Sequence, residues 1–326
     1  SFIPMLMGFG CNVPAIMATR TLESEKDRIL TILITPFMSC SAKLPVYIIL
    51  AGAFFGIRAG TVIFAIYFLG ITLSIITGRL FRSTLLRGVD APFVMELPPY
   101  RVPMLKSLLI HMWDRSKMFL KKMGKVILIG SIIIWALSAF PRNVSYSVDY
   151  DSKINRVITS YTAQLDAAAE SAKPQIEEEK NAALLTVKKA RQAEHAEKSF
   201  IGRIGKISAP LFAPLGIDWR GGVALLTGFV AKEIVVSTLG VLHAVGDEDA
   251  SDALKAALRA SGMTPLSALS MMVFVLLYLP CLASIAAIRR ETGSYKWMLF
   301  SIAYSTTVAW AMAFIVYQGG NLLGYG

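Results

Sequence analysis

Apolar runs of about 20 residues recur along this chain, and they constrain its fold more than any other feature. A transmembrane helix needs roughly 20 consecutive apolar residues to cross the hydrocarbon core of a bilayer. Hydrophobic residue types make up 55% of the 326 residues, which is above the usual share for a soluble domain. We therefore expect an all-α, polytopic membrane protein, with the lipid bilayer as its first partner.

The charge distribution supports this class and suggests an orientation. Basic residues gather in the cytoplasmic loops of membrane proteins, so the net charge of +11 does not indicate a nucleic-acid partner. The most basic stretch is residues 79–125, which we place in the cytoplasm. Within it, residues 104–123 mix apolar and basic side chains and predict an amphipathic helix lying in the interface.

The first apolar run, residues 2–18, contains a sequence that should break a helix. Residues 8–15 read GFGCNVPA. Glycine frees the backbone and proline removes a donor, so we expect a break near residues 10–14. Broken backbone at membrane depth persists only inside protein or beside a water-filled cavity. A break that carries a thiol and a carboxamide is a candidate binding site, although a proline-kinked packing helix with a buried Cys11 would give the same pattern.

Three further segments carry similar breaks. Residues 29–56 are interrupted by TPFMSCSAKLP at 35–45, and residues 265–288 by LPC at 279–281. Residues 221–245 contain GFVAKEIVV at 228–236. Uninterrupted spans are predicted at residues 61–77, 126–140 and 297–317.

The order of these parts indicates an internal repeat. Each block has a Gly-Phe break, a polar loop, a span broken at Pro and Cys, a charged turn and a plain span. The positive-inside rule gives the two blocks opposite orientations if each Gly-Phe segment is a re-entrant hairpin, an arrangement typical of inverted-repeat transporters. We predict a first repeat at 1–78, a cytoplasmic loop with an interfacial helix and one span at 79–140, a helical periplasmic insertion at 141–206, and a second repeat with the final span at 207–326.

Several motifs resemble the ferrous iron transport protein B (FeoB) family. GFGCNVPAIMATR at 8–20 is similar to the family's first Gate motif, and PFMSC at 36–40, KLPVY at 43–47 and FVMELPPYR at 93–101 are also similar to the family. The GF at 228–229 with AKE at 231–233 resembles the second Gate motif, and LPC at 279–281 its partner.

The resemblance implies uptake of Fe²⁺, as transported substrate, by a multi-pass protein of the bacterial inner membrane. It also implies an N-terminal GTP-binding domain and upstream membrane helices. The sequence contains no Gly-x-x-x-x-Gly-Lys-Ser/Thr loop, so we expect GTP and Mg²⁺ to bind a domain outside this chain, and this chain not to be an enzyme. Small Feo accessory proteins and a homo-oligomer are further candidate partners.

The candidate site residues lie at the breaks. Cys11, Cys40 and Cys281 fall at family Cys positions. Thiols suit borderline and soft metals, and Asn12 offers a carbonyl oxygen, although selectivity for iron does not follow from these ligands. Ionisable residues inside an apolar segment are costly and functional by default. This adds Glu233 as a carboxylate on the ion route and its neighbour Lys232 as a gate residue or a structural partner. The weaker candidates are Met38 and Ser39.

The sequence leaves two other functions open. An organic-solute carrier is one, because Gate-type repeats also resemble nucleoside transporters. A membrane thiol-redox enzyme is the other, and it would need two Cys within disulfide reach.

Overall fold

The described part of the molecule is helical throughout. The computed structural model describes residues 2–86, 135–142, 144–167, 173–243, 250–278 and 280–324, with scattered positions between 104 and 133, and these contain no strand. This confirms the predicted all-α class. The motif at 93–101 lies outside the described residues, as do most of the predicted interfacial helix at 104–123 and five positions of the span at 126–140.

The first block contains five helices and two breaks. In chain order they are α1 (Phe2–Gly8), α2 (Asn12–Ala18), α3 (Glu25–Ile34), α4 (Leu44–Phe54) and α5 (Ala59–Thr84). Ser24 caps α3 by accepting from the Asp27 N–H. The predicted interruption at 35–45 is present as two 3₁₀ turns, Thr35–Phe37 and Ser41–Lys43, that separate α3 from α4.

The insertion predicted at residues 141–206 is mainly helical in its described part. Helices α6 (Tyr150–Ala167) and α7 (Lys173–Lys198) pack side by side, with an ion pair of 2.9 Å between Asp151 and Arg191. The next helix, α8 (Phe200–Phe212), begins after Ser199, whose hydroxyl caps it. Residue 206, where we placed the end of the insertion, lies inside α8.

The second block repeats the pattern of short and long helices. It contains α9 (Trp219–Thr227), α10 (Ile234–Leu242), α11 (Ala250–Ala260), α12 (Pro265–Leu277), α13 (Leu282–Thr292) and α14 (Tyr295–Leu322). Asp218 caps α9 and Thr264 caps α12. The segments at 228–236 and 279–281, where interruptions were predicted, separate α9 from α10 and α12 from α13, although residues 234–236 already belong to α10.

Four helical stretches in the described residues are long and apolar enough to cross a membrane: Glu25–Phe54, Gly56–Thr84, Pro265–Thr292 and Tyr295–Leu322. In the two broken stretches, 72% and 82% of the most apolar 18 residues are buried in the protein, against 17% and 22% in the unbroken ones. Interrupted backbone needs internal hydrogen-bond partners at membrane depth. The fold provides them by placing the broken spans inside and the unbroken helices α5 and α14 outside.

Small residues let α5 approach the first broken span. A Cβ at Gly70 would lie 2.8 Å from the Phe37 carbonyl oxygen. One turn further on, the Ser74 hydroxyl lies 3.5 Å from the Ile34 carbonyl oxygen and donates to it. Close backbone approach of this kind is typical of packed helices in membranes, and it leaves no room for a side chain at position 70.

Candidate functional site

Each of the three cysteines immediately precedes a helix or a helical turn. Cys11 precedes α2, Cys40 precedes the turn Ser41–Lys43, and Cys281 precedes α13. In the described structure none of these side chains caps the backbone of its helix and none forms a disulfide, while the Cys281 Sγ lies 3.2 Å from the Ser284 hydroxyl. The cysteines therefore mark the start of the second half of three of the four broken segments.

Within each block, the backbone of one break is bonded to the backbone of the other. The Gly10 carbonyl accepts from the Ser41 N–H at 3.2 Å and from its hydroxyl at 2.8 Å. In the second block the Phe229 carbonyl accepts from the Leu282 N–H at 2.9 Å. In both blocks the donor is the residue directly after the cysteine of the broken span.

Two glycines allow the same breaks to approach each other closely. A Cβ at Gly8 would lie 3.1 Å from Met38 Cβ. A Cβ at Gly228 would lie 2.5 Å from the Tyr278 hydroxyl. The Gly-Phe pair of each block thus packs against the residues that lead into the cysteine of its partner span.

Helices α2 and α13 bring residues of the two blocks together. They pack against each other, and Cys11 and Cys281 both border one apolar cluster, formed by Val13, Ile16, Ile32, Ala283, Ala287 and Ile288. At the other end, Arg20 donates to both carboxylate oxygens of Glu291 at 2.6 Å each. The two helices therefore run in the same direction, with the cysteines at one end and the ion pair at the other.

The predicted thiols do not form a closed metal site. Among the residues that the structure describes, no three His, Cys, Asp or Glu side chains are grouped so that they could hold a metal ion. Cys40 is 8% exposed, whereas Cys11 and Cys281 are partly exposed. The arrangement offers dispersed ligands beside the breaks, not a complete coordination shell.

The remaining candidates in the first block are buried. Asn12 is 6% exposed, and within the described structure its buried Oδ1 has no hydrogen-bond partner. Met38 and Ser39 are each 2% exposed, and the Ser39 hydroxyl lies 3.5 Å from the Tyr47 hydroxyl. An unpartnered buried oxygen is costly, so the Asn12 carboxamide is a polar group available to a ligand at this break.

Lys232 and Glu233 point in different directions, as expected for adjacent residues. Lys232 is buried, with its Nζ 3.1 Å from the centroid of the Tyr278 ring. Glu233 is exposed. The lysine therefore belongs to the protein interior beside the end of α12, and the carboxylate faces outward.

Sequence reasoning missed Lys43 as a site residue. It appeared only as part of the stretch at 35–45 and of the KLPVY motif, yet its side chain is 2% exposed and its Nζ donates to the carbonyls of Pro36, Met38 and Leu276. The available signal was a basic residue inside a broken apolar run, the same signal that identified Lys232.

Comparisons with known families agree with the motifs. The Gate family model, described as nucleoside recognition, matches residues 1–54 and 120–295. The model of the ferrous iron transport protein B C terminus matches residues 63–115. No solved structure matches the chain.

Curated relatives cover nearly the whole chain. A fusion protein of Fe(2+) transport protein A and Fe(2+) transporter FeoB from Porphyromonas gingivalis is 49% identical over 99% of this chain and 38% of its own length. The Fe(2+) transporter FeoB of Methanocaldococcus jannaschii is 40% identical over 98% of the chain and 41% of its own length. That of Helicobacter pylori is 38% identical over 99% of the chain and 49% of its own length.

The chain thus spans less than half the length of these relatives. Together with the four candidate spans, the matches make it an integral protein of the inner membrane. The predicted resemblance is confirmed: this chain belongs to the FeoB family of Fe(2+) transporters.

Proposed function

We propose that this chain forms the membrane pathway through which Fe²⁺ is taken up. The observation that carries the proposal is the set of cysteines at three helix breaks, two of them within buried spans. Transporters bind substrate near the midplane where broken helices meet. Iron is the transported substrate here, and the chain itself is the transporter core and performs no catalysis.

The pathway is formed by two inverted repeats, each with a re-entrant Gate hairpin. The first hairpin is α1 with α2, and the second is α9 with α10. Support comes from the matched backbone bonds at Gly10 and Phe229. Packing gives further support, because α2 contacts α13 and, correspondingly, α10 contacts α4. The proposal keeps the domain limits predicted from the sequence: repeats at 1–78 and 207–326, a cytoplasmic loop and span at 79–140, and a periplasmic insertion at 141–206. The limits at 78 and 206 fall inside α5 and α8.

Transient ligation by dispersed thiols moves the ion along this route. A structural metal site closes its coordination shell, whereas transport requires ligands that exchange. Cys11 and Cys281 border the same cluster, and Asn12 adds its unpartnered oxygen. Cys40, at the break of the first buried span, supplies the third thiol, and the exposed carboxylate of Glu233 attracts the cation to the break between α9 and α10.

Met38, Ser39 and Lys232 line the route without holding the ion. Met38 packs against Gly8, and Ser39 contacts Tyr47. Lys232 lies over the Tyr278 ring beside the second break and acts as a gate residue.

The chain works as part of a larger assembly. Its relatives are more than twice as long, which supports a GTP-binding domain and upstream helices as partners. GTP and Mg²⁺ bind the GTP-binding domain. Small Feo accessory proteins and a second copy of the chain are further proposed partners.

The Gate model's description, nucleoside recognition, favours one second candidate, an organic-solute carrier. Such a site would need several amide and carboxylate groups facing the route. Of the described residues at the breaks, Asn12 is the one carboxamide, while three thiols are present. The iron pathway accounts for these thiols and the solute carrier does not.

The test is Fe²⁺ uptake into proteoliposomes that hold the longest native form of the protein with GTP supplied. Cys11→Ser should reduce uptake several-fold because it removes a soft ligand from the first break. Ser160→Ala, an exposed change in α6, is the matched control and should leave uptake unchanged.

Unchanged uptake by a folded Cys11→Ser protein would remove Cys11 from the route and shift the ligand role to Glu233 and backbone carbonyls. Uptake of a nucleoside but no Fe²⁺ by the wild-type vesicles would contradict the substrate assignment.

A further inference from the structure

The side chain of Lys43 joins the two blocks at the point where both spans are interrupted. Its Nζ lies 3.2 Å from the Pro36 carbonyl oxygen, 3.4 Å from that of Met38 and 2.6 Å from that of Leu276. The first two belong to the same broken span as Lys43. Leu276 lies 233 positions away in sequence, in the last turn of α12.

These carbonyls are the ones that broken helices leave without partners. The last four carbonyls of a helix have no intrahelical donor, and a helix C-terminus carries a partial negative charge. Leu276 is in the last turn of α12, while Pro36 and Met38 lie in and just after the 3₁₀ turn that follows α3. Carbonyls at the ends of the first halves of both broken spans therefore accept hydrogen bonds from the same nitrogen, the Lys43 Nζ.

The chemistry of the site is that of a cation held by main-chain oxygens. Three acceptors match the three N–H donors of an ammonium group, whereas a neutral amine has two. Within the described structure, the three acceptors of the Lys43 Nζ are all carbonyls and none is a carboxylate. In secondary transporters, carbonyls at broken helix ends hold a free coupling cation. Here the ammonium group of Lys43, a cation attached to the chain, takes that position.

We propose that Pro36, Met38 and Leu276 form a binding site for a monovalent cation of the ammonium class, and that Lys43 occupies it permanently. The site locks the two broken spans together next to Cys40 and Cys281. The backbone N–H of Lys43 also donates to the Cys40 carbonyl at 3.0 Å, so the same residue positions that cysteine. The inference goes beyond the proposed transport, and its test needs no iron.

Truncation followed by chemical rescue tests the site. Lys43→Ala empties it, and the Tm of the purified protein in detergent should fall by at least about 5 °C, because three buried carbonyls lose their donor. Propylammonium in the millimolar range should return about half of that loss by binding the folded state. Propanol, which has similar size and no charge, should return none.

A matched variant separates this effect from a general action of amines. Lys153→Ala removes an exposed lysine of α6, so its Tm should not respond to propylammonium beyond the wild-type response. Lys43→Arg keeps a cationic donor and should be more stable than Lys43→Met, which keeps the length and loses the charge.

Three results would overturn the proposal. They are equal rescue by propanol and propylammonium, a Lys43→Met protein as stable as wild type, and a Lys43→Ala protein that stays unfolded with the amine present throughout purification. A Lys43→Ala protein that folds only with propylammonium would support it. A failure of Fe²⁺ uptake would leave these thermal measurements unaffected, so the two proposals fail separately.

Discussion

Glu194 in α7 ties the insertion's helical hairpin to the segment that enters it. Its carboxylate pairs with Lys198 at 2.8 Å and accepts from the Ser147 N–H at 2.6 Å and the Tyr150 hydroxyl at 2.7 Å. All three interactions favour the charged form of the Glu194 carboxylate, and the hydrogen bond with Lys198 contributes most to the shift of its pKa. Together they lower the pKa of Glu194 to about 2, from an ordinary value of 4.5.

This lowered pKa predicts a pH-dependent contribution to stability. A carboxylate with a depressed folded-state pKa stabilises the fold fully above its unfolded pKa, and the contribution is lost as the pH falls toward about 2. Glu194→Gln should therefore be less stable than wild type at pH 7. The difference in Tm should shrink as the pH is lowered from about 4.5.

The measurement is the Tm of the wild-type and Glu194→Gln proteins, followed by thermal unfolding from pH 7 to below pH 4.5. Glu178→Gln, an exposed change in the same helix, should follow the wild-type curve. A constant gap between Glu194→Gln and wild type at every pH would show that the charge of Glu194 is not what stabilises the contact.

At the scale of elements, the ion pair between Arg20 and Glu291 holds α2 and α13 side by side. The Glu291 side chain is 4% exposed and the Arg20 side chain 48% exposed. Loss of Arg20 leaves the buried carboxylate of Glu291 without its partner, whereas loss of the Glu291 charge leaves an arginine that water can reach. The two deletions should therefore have unequal costs.

We expect Arg20→Ala to destabilise the protein by roughly 2–4 kcal/mol and Glu291→Gln by about 1 kcal/mol. Chemical denaturation of the two single variants and the double variant measures the costs and the coupling. Arg82→Ala, which breaks a more exposed contact of 3.5 Å with Asp27, should cost less than about 0.5 kcal/mol. Equal costs for Arg20→Ala and Glu291→Gln would mean that Glu291 is not buried in solution.

At the scale of the whole molecule, the sequence predicted where helices stop better than which residues meet. Gly, Pro and Cys at residues 8–15, 35–45, 228–233 and 279–281 act locally on the backbone, so their effect can be read without knowing any neighbour. Each of these segments contains an interruption, but the first one lies at residues 9–11 and not at 10–14, so Pro14 falls inside α2. The helical nature of the insertion followed from composition in the same way.

Contacts between distant parts were not predictable, because an apolar run does not specify its partner. Lys43 and Leu276 are 233 residues apart, and Arg20 and Glu291 are 271 apart. The burial of Lys232 and the exposure of Glu233 likewise depend on how α9 and α10 pack. Only the assembled fold shows which ionisable residues face the breaks.

If Fe²⁺ meets the thiols at the helix breaks, it should protect the native cysteines from alkylation, and their alkylation rates measure that protection. Cys11 and Cys281 are partly exposed and should react with N-ethylmaleimide, whereas Cys40 is buried and should react slowly. Mass spectrometry follows each site under anaerobic conditions. We expect Fe²⁺ to slow the alkylation of Cys11 and Cys281 several-fold, whereas Mg²⁺, which prefers oxygen ligands, should not. Rates that are the same with Fe²⁺, with Mg²⁺ and with neither would contradict this expectation.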